Sequence, residues 1–315
     1  MLSVFRRGGG AFEFPDRVAV WRPAADAIWI DLLDPTREEE LAVETALGLQ
    51  LPTVAEMEAL EPSSRLYQED GATFMTATLL SRSDEMMPIA TPVTFVLAKG
   101  LLITLRYADL GVFKIYSDRA REAATGAEAL LGLLDAVVER LAQGLDGLGH
   151  RTSAASATVF MQPAVKDYRT LLSELAQVQA RASLVRNSLV SLARLVSFAV
   201  LAADISAGPE RRAHLASIQQ DVQSLTELSG YLSSQLSFLL DAALGLINIE
   251  QNGIIKFFSV VAVVFMPPTL IASIYGMNFD LIPELHWRMG YPLALVLMVA
   301  AAILPVLWFK RRGWL

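Results

Sequence analysis

"IIKFFSVVAVVFMPPTLIASI" occupies residues 254–274. Apart from Lys256 near its start the run has no charge. At ~1.5 Å per residue, a helix of this length crosses the roughly 30 Å hydrocarbon core of a bilayer. A second uncharged run, "YPLALVLMVAAAILPVLWF", occupies residues 291–309. A pair of helices buried in a soluble core is the bland alternative, but core helices rarely run this long without charge. The reading is therefore two membrane spans joined by a short connector that holds "YGMNF" and the carboxylates Asp280 and Glu284.

Lys and Arg set the orientation. Lys310, Arg311 and Arg312 directly follow the second run, whereas the connector carries only Arg288. The excess of cations belongs on the cytosolic side, so both termini are expected there, and the connector faces outward. Trp287, Tyr291 and Trp308 lie near span ends, where amphipathic rings favour the interface.

The first run does not begin at Ile254 as a helix. No strong breaker appears between Glu210 and Pro267, so one helix of about 65 residues, ~100 Å, is expected to enter the membrane. Leu225, Leu228, Leu232, Leu239, Leu246 and Ile249 follow a 3–4 spacing that suits lateral packing against other helices. Every seventh residue further on gives Gly245, Asn252, Ser259, Met266 and Ser273. The adjacent row is Asp241, Asn248, Ile255, Ala262 and Thr269. Polar groups facing lipid are costly, so such a stripe should face water or another helix. Several copies around an axis enclose water where one helix cannot; a small-residue packing seam is the competing reading.

The corner after the span favours the wet axis. Gly276 suits a left-handed cap, and Asn278 falls just beyond the helix end. Helix C-termini carry about −0.5 charge each, so a ring of them with a ring of amide oxygens makes a cation entrance. Mg²⁺ gives up its octahedral water shell reluctantly, and neutral oxygens accept hydrogen bonds from those waters without trapping the ion. Entry would be downhill, by about 4.6 kcal/mol for two charges at 100 mV. Pro267 and Pro268 remove two backbone bonds within the span and mark a kink or flexing point.

Residues 1–110 read as an α/β region. "DAIWIDLL" (26–33) and "GATFMTATLL" (71–80) have strand composition, and "PVTFVLAKGLLITLRY" (92–107) reads as a hairpin turning at Lys99-Gly100. "DPTREEELAVETALG" (34–48) reads as a helix capped by Asp34 or Thr36. Beyond about residue 110 the pattern is helical: 126–148 and 164–198 are amphipathic, and "SAGPE" (206–210) is a turn.

Composition excludes several functions. There is no cysteine, hence no disulfide or thiolate metal site, and three histidines do not suggest a His-rich centre. Residues 254–315 carry five cations and two anions, a net +3, which leaves −10 on residues 1–253 of a chain at −7. An acidic front half argues against nucleic-acid partners. It suits attraction of cations, or simply a solvated surface. The first 17 residues lack the apolar core of a signal peptide, so the front half is expected in the cytosol. No phosphate loop, His-Glu-x-x-His or Gly-x-Ser-x-Gly occurs, so no enzyme is expected.

Taken together, "INIEQNGIIKFFSVVAVVFMPPTLIASIYGMNF", "PEL", "GYP" and the terminal "FKRRGWL" resemble the CorA magnesium/cobalt transporter family, strongly over about residues 240–315 and more loosely before them. The resemblance implies an α/β cytosolic domain (1–125), a helical stalk (126–253), a pore-lining span (254–275), an external loop (276–290), a second span (291–309) and a basic cytosolic tail (310–315). It implies a funnel-shaped homopentamer in the cell inner membrane that passes Mg²⁺, also Co²⁺ and possibly Ni²⁺. Gly276, Met277 and Asn278 would form the selectivity filter. The family's lining positions carry over as Asn252, Ile255, Phe258, Met266, Thr269 and Ser273. Phe258 stands outside the stripe, next to Ser259, which is in it. The resemblance further implies closure by cytosolic Mg²⁺ held between acids of adjacent subunits. Asp221, Asp241, Glu69 and Asp70 are candidates, each of which also reads as a solvated surface acid. Two rivals remain: a Zn²⁺ transporter of the same superfamily, and a membrane-anchored sensor without transport.

Overall fold

A computed structural model describes residues 1–8, 12–13, 21–59, 61–81, 88–161, 167–277 and 287–313. The chain divides into two compact units, Met1–Leu240 and Asp241–Leu315. The boundary between the units, after Leu240, falls inside the segment 126–253.

The first unit is built on a seven-stranded sheet of order β2-β1-β3-β7-β6-β5-β4. Its strands are β1 (Leu2–Arg6), β2 (Phe12–Glu13), β3 (Ala27–Leu33), β4 (Leu66–Glu69), β5 (Ala72–Ser81), β6 (Ile89–Ala98) and β7 (Leu101–Arg106). Every neighbouring pair is antiparallel except β3 and β7, which run parallel. Two tight turns fix the hairpin registers. Lys99 and Gly100 take φ of 51° and 81°, and Asp70 and Gly71 take 49° and 76°. Two successive left-handed residues match the twist of the flanking strands, so residues without a Cβ or with a short polar side chain are favoured there.

The sheet is covered on both faces. On one side α1 (Arg37–Leu47) and α2 (Val54–Glu58) bury Val43, Leu47 and Met57 against Leu2, Ile30, Leu32, Phe74, Val96 and Ile103. A four-residue α3 (Pro62–Arg65) leads into β4. Of the two candidate caps for α1, Thr36 serves. It accepts from the Glu39 amide, and Glu39 reaches back to the Thr36 amide. Asp34 instead sits at φ 42°. Thr53 and Glu56 repeat the capping box on α2, and the Thr53 amide holds the Glu56 carboxyl below its ordinary value.

The other face carries α4 (Gly111–Arg119), α5 (Gly126–Met161) and α6 (Tyr168–Leu201). Here Trp29, fully buried, stacks on Phe5 and lies near Phe113 and Tyr116. Ser188 and Ser191 tie α6 to the backbone of Thr78 on β5, at 2.8 Å each. α5 starts hard against the β6–β7 turn, with the Gly126 amide bonded to the Gly100 carbonyl at 2.9 Å. A Cβ there would stand 2.4 Å from the Leu102 nitrogen and 2.6 Å from the Gly100 oxygen. Gly126→Ala must therefore move the helix or the turn. A loss of about 1–3 kcal/mol is expected, read as a lower melting temperature of the full chain.

Candidate functional site

α7 runs unbroken from Pro209 to Tyr275, and α8 spans Gly290–Arg311. Both are long and apolar enough to cross a membrane. α6 also meets that criterion, but its Leu175, Val178, Ala182, Leu189, Leu192 and Leu195 are buried, and it packs on β5 and α5 within the first unit. In contrast, the most apolar stretch of α7 has no buried residue. No core within this chain covers that stretch.

Partial burial marks one face of α7. Val260, Val261, Val264, Pro267, Pro268, Ile271 and Tyr275 are half-buried, while the residues between them are exposed. At ~100° per residue all seven fall within about 60° of a single line. α8 has a matching row: Ala294 is buried, and Met298, Ala301, Ala302, Pro305, Val306 and Phe309 are half-buried. The two rows have the 3–4 spacing of a helix–helix seam, and alanines on the α8 side permit close approach.

The polar stripe lies about 180° from the half-buried row by the same count. Asn252, Ile255, Ser259, Ala262, Met266, Thr269 and Ser273 are all exposed. Phe258, exposed at 64%, sits about 60° off the centre of this stripe, on the flank with Phe265. Thr269 satisfies its hydroxyl within the helix by donating to the Phe265 carbonyl at 2.7 Å. Ser259 and Ser273 have no hydrogen-bond partner among the described residues. The end of α7 therefore has one half-covered apolar side and, opposite to it, a side that requires water or protein.

At the C-terminal end of α7 the structure corrects one expectation. Gly276 is not left-handed. Its amide bonds the Ala272 carbonyl at 2.9 Å, and the Met277 amide bonds the Ile274 carbonyl at 3.3 Å, so the last turn simply winds on. A Cβ on Gly276 would lie 3.1 Å from the Ala272 oxygen, so glycine suits this tight turn through space rather than through φ. Met277 is exposed. Asn278, Asp280 and Glu284 lie outside the described residues. Trp287, Tyr291 and Trp308 are exposed, and the Arg312 guanidinium sits 5.4 Å over the Trp308 ring at the basic end.

Asp221, Asp241, Glu69 and Asp70 are all exposed, and the described residues hold no group of three acids or histidines able to bind a metal. Asp241 falls on the same side of α7 as the polar stripe. Asp70 occupies a left-handed turn position, which gives an aspartate a local reason to be there. The half-buried row was not anticipated from sequence; its valines and isoleucine look like any other apolar residues of the span.

A family model described as "CorA-like Mg2+ transporter protein" matches residues 24–311. The magnesium transport protein CorA of Escherichia coli is 37% identical over 298 residues, covering 93% of this chain and 94% of the relative. That of Salmonella typhimurium is 37% identical over 294 residues, covering 92% of each. Among solved structures, the complete CorA magnesium transporter from Methanocaldococcus jannaschii superposes with a TM-score of 0.77 at 18% identity, covering 100% of this chain and 99% of the other. The extent of the match and its two-helix end lead to one assignment: the chain belongs to the CorA-like Mg2+ transporter family.

Proposed function

We propose that this protein conducts Mg²⁺ into the cytosol through a pore lined by the end of α7, with Co²⁺ and Ni²⁺ as further cargo and the membrane potential as the driving force. Five copies around an axis, forming a funnel in the inner membrane with both termini cytosolic, is the assembly that the family resemblance supports. The observation that carries the reading is the opposition of faces on α7. Taking the half-buried row as the side that meets α8 leaves the exposed stripe of Asn252, Ser259, Thr269 and Ser273 for a central axis. A helix that served only as an anchor has no use for such a stripe.

In this reading Asn278 and its copies crown the outer mouth and hold a hydrated ion through its waters. Asp280 and Glu284 raise the local cation concentration outside. Cytosolic Mg²⁺ bound between copies closes the pore, and Asp221, Asp241, Glu69 and Asp70 remain the candidate acids. Each is exposed, so a second copy can approach it.

The chain has no cysteine, so single cysteines report cleanly. In proteoliposomes, a charged thiol reagent should block Mg²⁺ flux at least about tenfold in Ser259→Cys and Ser273→Cys. Val264→Cys and Ile271→Cys, on the half-buried row, should be unaffected. The reverse pattern would defeat the assignment of faces, and a proton-driven Zn²⁺ flux that exceeds Mg²⁺ flux would move the cargo to zinc.

A further inference from the structure

Residues 1–253 carry −10, yet one cavity in the first unit is lined by cations. Its volume is about 610 Å³, within the roughly 300–1,000 Å³ of small-molecule sites. Arg7 directly follows β1, Arg22 lies in the segment that leads to β3, and Lys99 sits in the β6–β7 turn. Three segments far apart in sequence thus bring one sign of charge to one place. Among the described residues the only carboxylate that lines the cavity is Asp26, and it leans towards Arg6 at 3.9 Å.

The three cations are placed without being neutralised. Arg7 donates to the Ala124 carbonyl, and Lys99 donates to the Leu47 carbonyl at 2.7 Å. Both partners are uncharged, so these bonds fix the side chains and leave their charge and most of their donors unspent. Arg22 has no partner among the described residues. The contrast with the rest of the unit is sharp: Arg37, Arg106, Arg119 and Arg151 each lie within 3.8 Å of a carboxylate.

Lys99 carries a further sign. It takes φ 51°, where glycine, asparagine or aspartate is favoured and a long side chain is not. A lysine at such a place points to a use for its ammonium. Holding the carbonyl of Leu47, the last residue of α1, is one use, and two N–H groups remain. Thr125 lines the same cavity just ahead of α5, so the positive end of a 36-residue helix opens there. The other lining is mostly apolar and includes Pro23, Ile28 and Leu101.

A single small anion meets one of these cations, whereas a chain of phosphoryl groups offers oxygens to all three. Guanidinium forks match phosphate oxygens in pairs, and an ammonium meets them as a point charge. We propose that this cavity binds a polyphosphate, whose oxygens accept from Arg7, Arg22 and Lys99. A nucleoside triphosphate and a free inorganic polyphosphate share that chemistry. The site shares no residue with the proposed pore, and its test needs no ion flux.

Sodium triphosphate titrated calorimetrically into the detergent-solubilised full chain, at fixed ionic strength, should give a saturable isotherm. ATP should bind as well, and adenosine should not. ATP tighter than triphosphate would assign the apolar lining to a nucleoside. ATP weaker than triphosphate would make inorganic polyphosphate the occupant, and either order supports the anion site. Arg22→Gln breaks no hydrogen bond or ion pair among the described residues. It should melt like the parent and bind triphosphate about fivefold more weakly. Lys99→Asn gives the turn a residue suited to its φ and should weaken binding about tenfold. Absence of a saturable isotherm would overturn the proposal. So would parent-like binding in both variants, adenosine binding as tightly as ATP, or displacement of triphosphate by an equal concentration of sodium sulfate, the mark of a diffuse counter-ion effect.

Discussion

Asn278→Ala is expected to cut Mg²⁺ uptake at least a hundredfold, about 2.8 kcal/mol of barrier, without changing the amount of folded protein in the membrane. In the proposed pore Mg²⁺ would keep its inner water shell, and the mouth would recognise water hydrogens and not the bare ion. A neutral amide oxygen accepts from those waters, and copies around an axis provide several at once. Alanine leaves only the partial negative charge of the helix ends, which does not orient a hydrated ion. The reading is sensitive to chemistry as well as size. Asn278→Asp should keep binding but slow release, because conduction depends on sites weak enough to leave. Growth of a magnesium-transport-deficient strain at low Mg²⁺ is the measurement. Full rescue by the alanine variant would remove Asn278 from the filter.

The second large effect belongs to the first unit, Met1–Leu240. Asp31 on β3 and Arg106 on β7 form a bidentate pair, with contacts of 2.7 and 3.1 Å, at side-chain exposures of 8% and 6%. Thr104 donates to the same carboxylate at 2.7 Å and accepts from the Trp29 indole at 2.9 Å. The guanidinium lies 4.4 Å over the Phe113 ring. Asp31→Ala leaves the buried guanidinium with only the exposed Asp109 carboxylate, 3.4 Å from its Nη1, as counter-charge. A cost of about 3–5 kcal/mol is expected, a melting temperature lower by roughly 10 °C. Replacing both partners with apolar residues, Asp31→Leu with Arg106→Met, should recover much of that loss, since the pair gains little over well-packed apolar groups. If the single and double variants melt alike, the network does not hold the β3–β7 junction.

That junction shows where sequence reading stops. The hairpin at Lys99-Gly100 was legible, because a polar turn dipeptide lies between two β-branched runs. The helix after Thr36 was legible from its cap and acids. The strands β1 and β4 were not anticipated: one is five residues long and the other four, too short for alternation to stand out from chance. The Asp31–Arg106 pair joins residues 75 positions apart, and nothing local in either strand names the other as its partner.

For the membrane part, length and hydropathy sufficed to name two long apolar helices and a polar row at seven-residue spacing, since each depends only on a residue's own transfer cost and its place on a helix. Which side of α7 is covered depends on a neighbour brought alongside it, and the valine, isoleucine and proline side chains of the half-buried row carry no mark of that in the sequence. The same holds for Gly276. Its residue type suggested left-handed freedom, but a turn already closed around the Ala272 carbonyl had use only for its missing side chain. Composition settles what each residue tolerates; packing settles which of those tolerances is used.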